Sequence, residues 1–131
     1  MNELIHDELL GRAVHIVDVS VKEAKRDGRL RPLAVGWVGQ SMVADDGATI
    51  NDRVLCLLPY DSREHPNILL NFTQRIQPIA LMWLRQEKEG LRATFTTDCG
   101  QVEITVPLTK RHGKLQAGDR KVAHAASSSA S

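Results

Sequence analysis

Over much of this chain apolar and polar positions alternate with a period of two, and that period predicts strands. The pattern is clearest in the C-terminal third, where PIALMWLRQ, LRATFTT and QVEITVPL each read as a strand, joined by EKEG and DCG. With Cys99 and Gly100 as the central turn residues, Asp98 faces Gln101, Thr97 faces Val102, Phe95 faces Ile104 and Ala93 faces Val106, while Thr96 and Thr94 face Glu103 and Thr105. A one-residue slip would turn one strand's apolar set toward water, so turn and pattern agree on this register.

Upstream the periods are mixed. Residues 2–10 set Leu4, Ile5, Leu9 and Leu10 among Glu3, Asp7 and Glu8. That predicts a short amphipathic helix with its acids at the positive end, stopped at Gly11. The next segment, AVHIVDVSV, is dense in β-branched residues and reads as a strand, with continued helix as the rival. PLAVGWVGQSMV follows as a further strand, in which Gly36 and Gly39 mark a bulge or a place where another backbone approaches closely. ADDGATIND is turn-rich, RVLCLLP is a short strand closed by Pro59, and YDSREHPN is a loop. ILLNFTQRIQ fits both periods: Ile68, Leu70, Phe72 and Ile76 alternate, while Leu69, Phe72 and Ile76 share a helical face. It is read as a strand.

These elements describe a mainly-β fold, α+β at the margin. A short N-terminal helix precedes an antiparallel sandwich or partly open barrel of about six to seven strands, ending in a three-stranded meander. VLCLL and IALMWL are apolar on both faces and need cover on both. A nine-residue helix, roughly 13 Å long, cannot blanket a sheet. Either the sheet closes on itself or a second copy of the chain supplies the missing cover. Residues 1–109 form one expected domain. Residues 110–131 lose all periodicity and are expected to be a flexible basic tail.

Composition narrows the class. At 131 residues, 42% hydrophobic and 25% charged, the chain matches a single ordinary globular domain rather than a fibrous or disordered one. Aromatic residues make up 4%, too few for a base-stacking or sugar-stacking surface. The longest apolar run, Ile79 to Leu84, falls far short of the roughly 18 residues that span a bilayer. The acidic N-terminus also lacks the basic and apolar regions of a secretory leader. The expectation is a cytoplasmic protein with no membrane partner.

Net charge is +1, unevenly spread. Residues 1–109 hold 12 Lys and Arg against 15 Asp and Glu, whereas residues 110–131 hold five cations against Asp119 alone. The densest basic stretch of the body is 22–31, where Lys22, Lys25, Arg26, Arg29 and Arg31 outnumber Glu23 and Asp27. Between two strands this stretch would form the tip of a hairpin, and arginine there makes two-point contacts with phosphate or carboxylate. The alternative is a solvated loop whose acids neutralise its bases.

Other chemistry has little support. The five histidines show no zinc-finger spacing and no C-x-x-C occurs, so neither a metal site nor a cofactor is expected. Cys56 reads as an inert packing residue, and Cys99, beside Asp98, lacks the positive neighbour that a nucleophilic thiol needs. The acids of ADDGATIND do not match a calcium loop. No motif fixes an enzyme activity.

The function expected from sequence is therefore binding. The chain would dock an acidic protein surface or a nucleic-acid backbone, without sequence preference, through Lys22, Lys25, Arg26, Arg29 and Arg31, aided by Lys110, Arg111 and Lys114 of the tail. Two alternatives compete. One is a homo-oligomeric structural or inhibitory protein that works through an exposed apolar strand face; the other is a small-ligand barrel or weak enzyme.

Overall fold

The first helix is far longer than its sequence suggested, because one buried stripe runs through both of the segments assigned above. In the computed structural model, which describes residues 2–43 and 49–124, helix α1 spans Glu3–Asp27. The expected strand over 13–21 is thus helix, and Gly11 does not stop it. The buried residues His6, Leu9, Ala13, Val17, Ser20 and Ala24 recur every three or four positions, which is the helical period. Burial of that stripe outweighs the few tenths of a kcal/mol that each β-branched residue costs a helix. The ends are well defined. The Asn2 side chain accepts from the Ile5 N–H at 2.9 Å, and Gly28, left-handed at φ 75°, donates its N–H to Ala24 O at 2.7 Å.

Seven strands follow among the described residues: β1 (Leu33–Val43), β2 (Thr49–Leu57), β3 (Ala80–Glu87), β4 (Gly90–Thr97), β5 (Gly100–Arg111), β6 (Lys114–Ala117) and β7 (Lys121–His124). They make one antiparallel sheet in the order β2-β1-β3-β4-β5-β6, with β7 also pairing β5. The sheet curls into a half-barrel, so of the two expected closures it is the partly open barrel that forms. The expected meander is β3-β4-β5. Its register differs from the sequence reading by two residues: Phe95 pairs with Val102, Ala93 with Ile104 and Thr94 with Glu103. Asp98 and Cys99 are the turn residues, because Gly100 already pairs with Thr97. A two-residue shift keeps every side chain on its face, so the apolar pattern alone does not distinguish the two registers.

Helix α2, His65–Ile76, replaces the strand expected over ILLNFTQRIQ. Pro66 in its first turn suits a helix start. The expected flexible tail is also corrected as far as His124. Lys110 and Arg111 end β5, and the strands β6 and β7 occupy most of 114–124, held by backbone pairing along Val102–Thr105 and Leu108–Arg111. Residues 125–131, and residues 44–48 with Asp45 and Asp46 of the expected turn, lie outside the described residues.

The two helices take opposite faces. α1 lies in the concave face, chiefly against β3, β4 and β6. Its stripe shares one core with Val35, Trp37, Met82, Leu84, Phe95 and Ile104. α2 lies on the other face, where a β-carbon on Gly36 would stand 2.2 Å from Ile76 Cδ1. Gly36 therefore marks a close approach, made by α2 side chains and not by the backbone that the sequence reading expected. The β1–β2 register breaks between Trp37 and Ser41, around Gly39, as the bulge reading had it.

Two glycine substitutions test this architecture. Gly11→Ala, in open space on an exposed helix face, should raise stability by about 0.5–1 kcal/mol in urea unfolding. Gly90→Ala should lower it by at least about 1–3 kcal/mol, since φ is 143° and the new carbon would sit 2.3 Å from Val106 O. A loss on Gly11→Ala would contradict the long helix.

Candidate binding groove

A helix about 10 Å across covers two or three strands spaced 4.8 Å apart. α1 therefore leaves the β1–β2 side of the concave face open. Leu55 and Leu57, on the α1 side of the edge strand β2, are each 58% exposed. Together with Ile16 and Val19 of α1 and Leu33 of β1, they form the apolar floor of an open groove of about 470 Å³. Exposed apolar side chains gathered in one place, rather than scattered, are the usual mark of an interaction surface.

Cations stand around this floor. The Gly28 cap ends the helix, and Leu30, fully buried, pins the extended segment that follows. Arg29 and Arg31 flank it, and both guanidinium groups approach the Tyr60 ring, at 3.4 and 5.0 Å from its centroid. Leu58, buried, donates its N–H to Pro32 O at 3.1 Å and so fixes the Tyr60 segment beside them. Arg53 of β2 adds a third cation to the groove lining, and His15 lies at its edge. Among the described residues none of the three arginines pairs with a carboxylate. The groove also meets Glu23 and Asp27. Asp27 is already engaged: the Arg26 hydrogen bond at 3.0 Å holds its carboxyl below the usual carboxylate value and raises Arg26 in turn.

The eight cations expected to bind a partner do not form one finger. Lys22, Lys25 and Arg26 belong to the last turns of α1 and are exposed, so the hairpin tip expected over 22–31 is a helix end. Arg29 and Arg31 reach the groove. Lys110, Arg111 and Lys114 surround a genuine hairpin tip between β5 and β6, where His112 (φ 54°) and Gly113 (φ 77°) make a two-residue turn. Basic hairpin chemistry is thus present, but some ninety residues downstream of where the sequence placed it.

Residues that matter here and that the sequence did not single out are Tyr60, Arg53, Leu55 and Leu57. Beneath the opposite face lies a polar chain that the sequence also hid. The Trp83 indole N–H donates to His65 Nδ1 at 3.2 Å, and His65 Nε2 bonds Pro59 O at 2.7 Å, so both ring nitrogens are occupied. Arg85 stacks on Trp83 at 3.9 Å and donates to Thr94 Oγ1, which in turn donates to Glu103. Burial lowers the Arg85 guanidinium from its ordinary value, while Glu87 and Glu103 pull it back up. This chain fastens α2 to the sheet.

Among the described residues no group of three or more His, Cys, Asp or Glu is arranged to hold a metal ion. No helix among them is long and apolar enough to cross a membrane. Comparison with protein-family models, with curated proteins and with solved structures finds no match to this chain.

The groove residues should prove separable from the fold. Leu57→Glu should change unfolding stability by less than about 0.5 kcal/mol, since its side chain faces water. Tyr60→Ala should cost about 0.5–1 kcal/mol from the lost arginine stacking. A collapse of the fold on Leu57→Glu would show that the groove is closed.

Proposed function

We propose that this chain is a binding module that docks an acidic partner bearing an apolar side, and that the groove between α1 and β2 is its working surface. One observation carries this reading. Arg29 and Arg31 line an uncovered leucine floor without a carboxylate partner among the described residues, and just outside the groove both guanidinium groups approach the Tyr60 ring. Stacking restrains both guanidinium groups before a partner arrives, so less side-chain entropy is lost on docking. A carboxylate approaching them gains two-point, charge-assisted hydrogen bonds. The leucine floor supplies affinity, and the arginines supply attraction at a distance and choice of sign.

The β5–β6 tip favours a second reading. Lys110, Arg111 and Lys114 are exposed there and have no carboxylate partner among the described residues. Such a tip suits contact with a phosphate backbone, with little sequence preference.

Capture of partners from the native host, using the full chain with and without nuclease, separates the two. The groove reading expects an acidic protein that survives nuclease and is lost with Arg29→Ala/Arg31→Ala or with Leu57→Glu. Loss only with nuclease, or only with Lys110→Ala/Arg111→Ala/Lys114→Ala, would replace it by the second reading. Identical capture by every variant would overturn both.

A further inference from the structure

The sheet has two edges, and they are built differently. At one, β6 and β7 are four residues each and open with Lys114 and Lys121. Short strands and lysines are how sheets discourage further pairing. At the other, β2 runs for nine residues with neither Lys nor Pro, and Leu55 and Leu57 stand 58% exposed on it.

Hydrogen bonds fix which backbone groups of β2 are open. Leu58 donates its N–H to Pro32 O at 3.1 Å, next to the Leu33–Leu57 pair. Backbone groups alternate sides along a strand, so Leu58, Cys56 and Val54 turn theirs toward β1, while Leu57, Leu55 and Arg53 turn theirs outward. At the far end Trp37 O accepts from Ile79 N–H at 2.8 Å on the β3 side, which again leaves its β2 partner Arg53 facing outward. Among the described residues these outward groups meet only Cys56 Sγ, 3.9 Å from Leu57 O. Arg53, Leu55 and Leu57 are also the β2 residues that line the groove. The same three positions thus offer main-chain bonds at the edge and side chains in the groove.

We propose that the groove takes its partner as an extended segment, added antiparallel to β2 as a further strand. This rests on the groove being the docking site for an acidic, partly apolar partner, and it names that partner's form and pattern. A helix would cover the leucine floor but leave the outward N–H and C=O groups of β2 unused. Residues directly opposite on neighbouring strands share a face, so β2 dictates the pattern. An acid stands against Arg53 and apolar residues against Leu55 and Leu57; a second acid falls two positions beyond, where Arg31 precedes the Pro32 that bonds Leu58. The recognised segment reads acid-x-apolar-x-apolar-x-acid, with each x turned away from the groove.

The probe is the capped peptide Ser-Glu-Thr-Val-Thr-Val-Thr-Glu-Ser, titrated to millimolar into the full chain and followed by NMR with amide exchange. In the free, dilute chain the Leu55 and Leu57 amides should exchange fast and those of Val54 and Cys56 slowly; the peptide should slow the first pair. N-methylation of both valines removes donors that face β2 and should weaken binding about tenfold or more. N-methylation of the middle threonine, whose N–H faces away, should change it by less than about threefold. Arg53→Glu should weaken the peptide about tenfold, and Lys in place of its second Glu should restore binding to that variant.

No binding at millimolar peptide, or a loss that does not single out the valines, overturns the added strand. So do slow Leu55 and Leu57 amides in the free chain: at every dilution they mean an edge covered from within, and only at high concentration they mean a second copy. If the strand fails while Leu57→Glu and Arg29→Ala/Arg31→Ala still lose a captured acidic protein, the groove reading stands. If capture is indifferent to those changes as well, both fall.

Discussion

The structure depends on one contact: the narrow, small-residue stripe of α1 pressed into the hollow of a curled sheet. Ala13, Ser20 and Ala24 let the helix approach closely, while Leu9 and Val17 fill the remaining space. The bulk comes from the sheet, where Trp37 and Phe95 meet edge to face at 5.9 Å and His6 leans on Phe95 at 5.6 Å. The interface works because small residues on one side face large ones on the other. At the helix's N-terminal end, His6 Nδ1 also bonds Thr97 Oγ1 at 2.6 Å, tying α1 to the far end of β4.

That same contact leaves the groove. A single helix is too narrow for the face it occupies, so closure over β3–β6 comes at the expense of cover over β1–β2. The opposite face is handled differently. There α2 lies over Gly36 and is fastened by the Trp83–His65 hydrogen bond, so β1 is covered within the chain while Leu81 and Trp83 of β3 stay half-buried. The expectation that doubly apolar strands need two covers is met only in part on each side, by α2 on one and by α1 on the other. The part that α1 leaves uncovered coincides with Arg29, Arg31 and Arg53, and this coincidence gives the groove its chemical character.

How far the sequence revealed this varied with the kind of signal. The meander was legible because its alternation is strict, yet its register was misplaced by two residues, since a shift of two leaves every face unchanged. The long helix was hidden by composition: Val14, Ile16, Val17, Val19 and Val21 favour strands individually, and only the 6-9-13-17-20-24 spacing gives the helix away. α2 satisfied both periods and was read as a strand; Pro66, which suits a helix start, is the local feature that separates the two. β6 and β7 left almost no trace, because four-residue strands held by backbone pairing need few apolar side chains; every residue of β7 is exposed. The groove could not be read at all. Ile16 and Val19, Arg29 and Arg31, and Arg53 to Leu57 lie on three separate segments, and no local pattern brings them together.

The central claim is that α1 leaves the β1–β2 strip bare within a single chain. Methyl NMR with a soluble paramagnetic agent measures this directly. In dilute protein the Leu55 and Leu57 methyls should relax strongly, while those of Leu84, Leu91 and Met82 stay protected. Leucines 55 and 57 as sheltered as Met82 in a dilute monomer would mean that the strip is covered from within, and the account would be wrong.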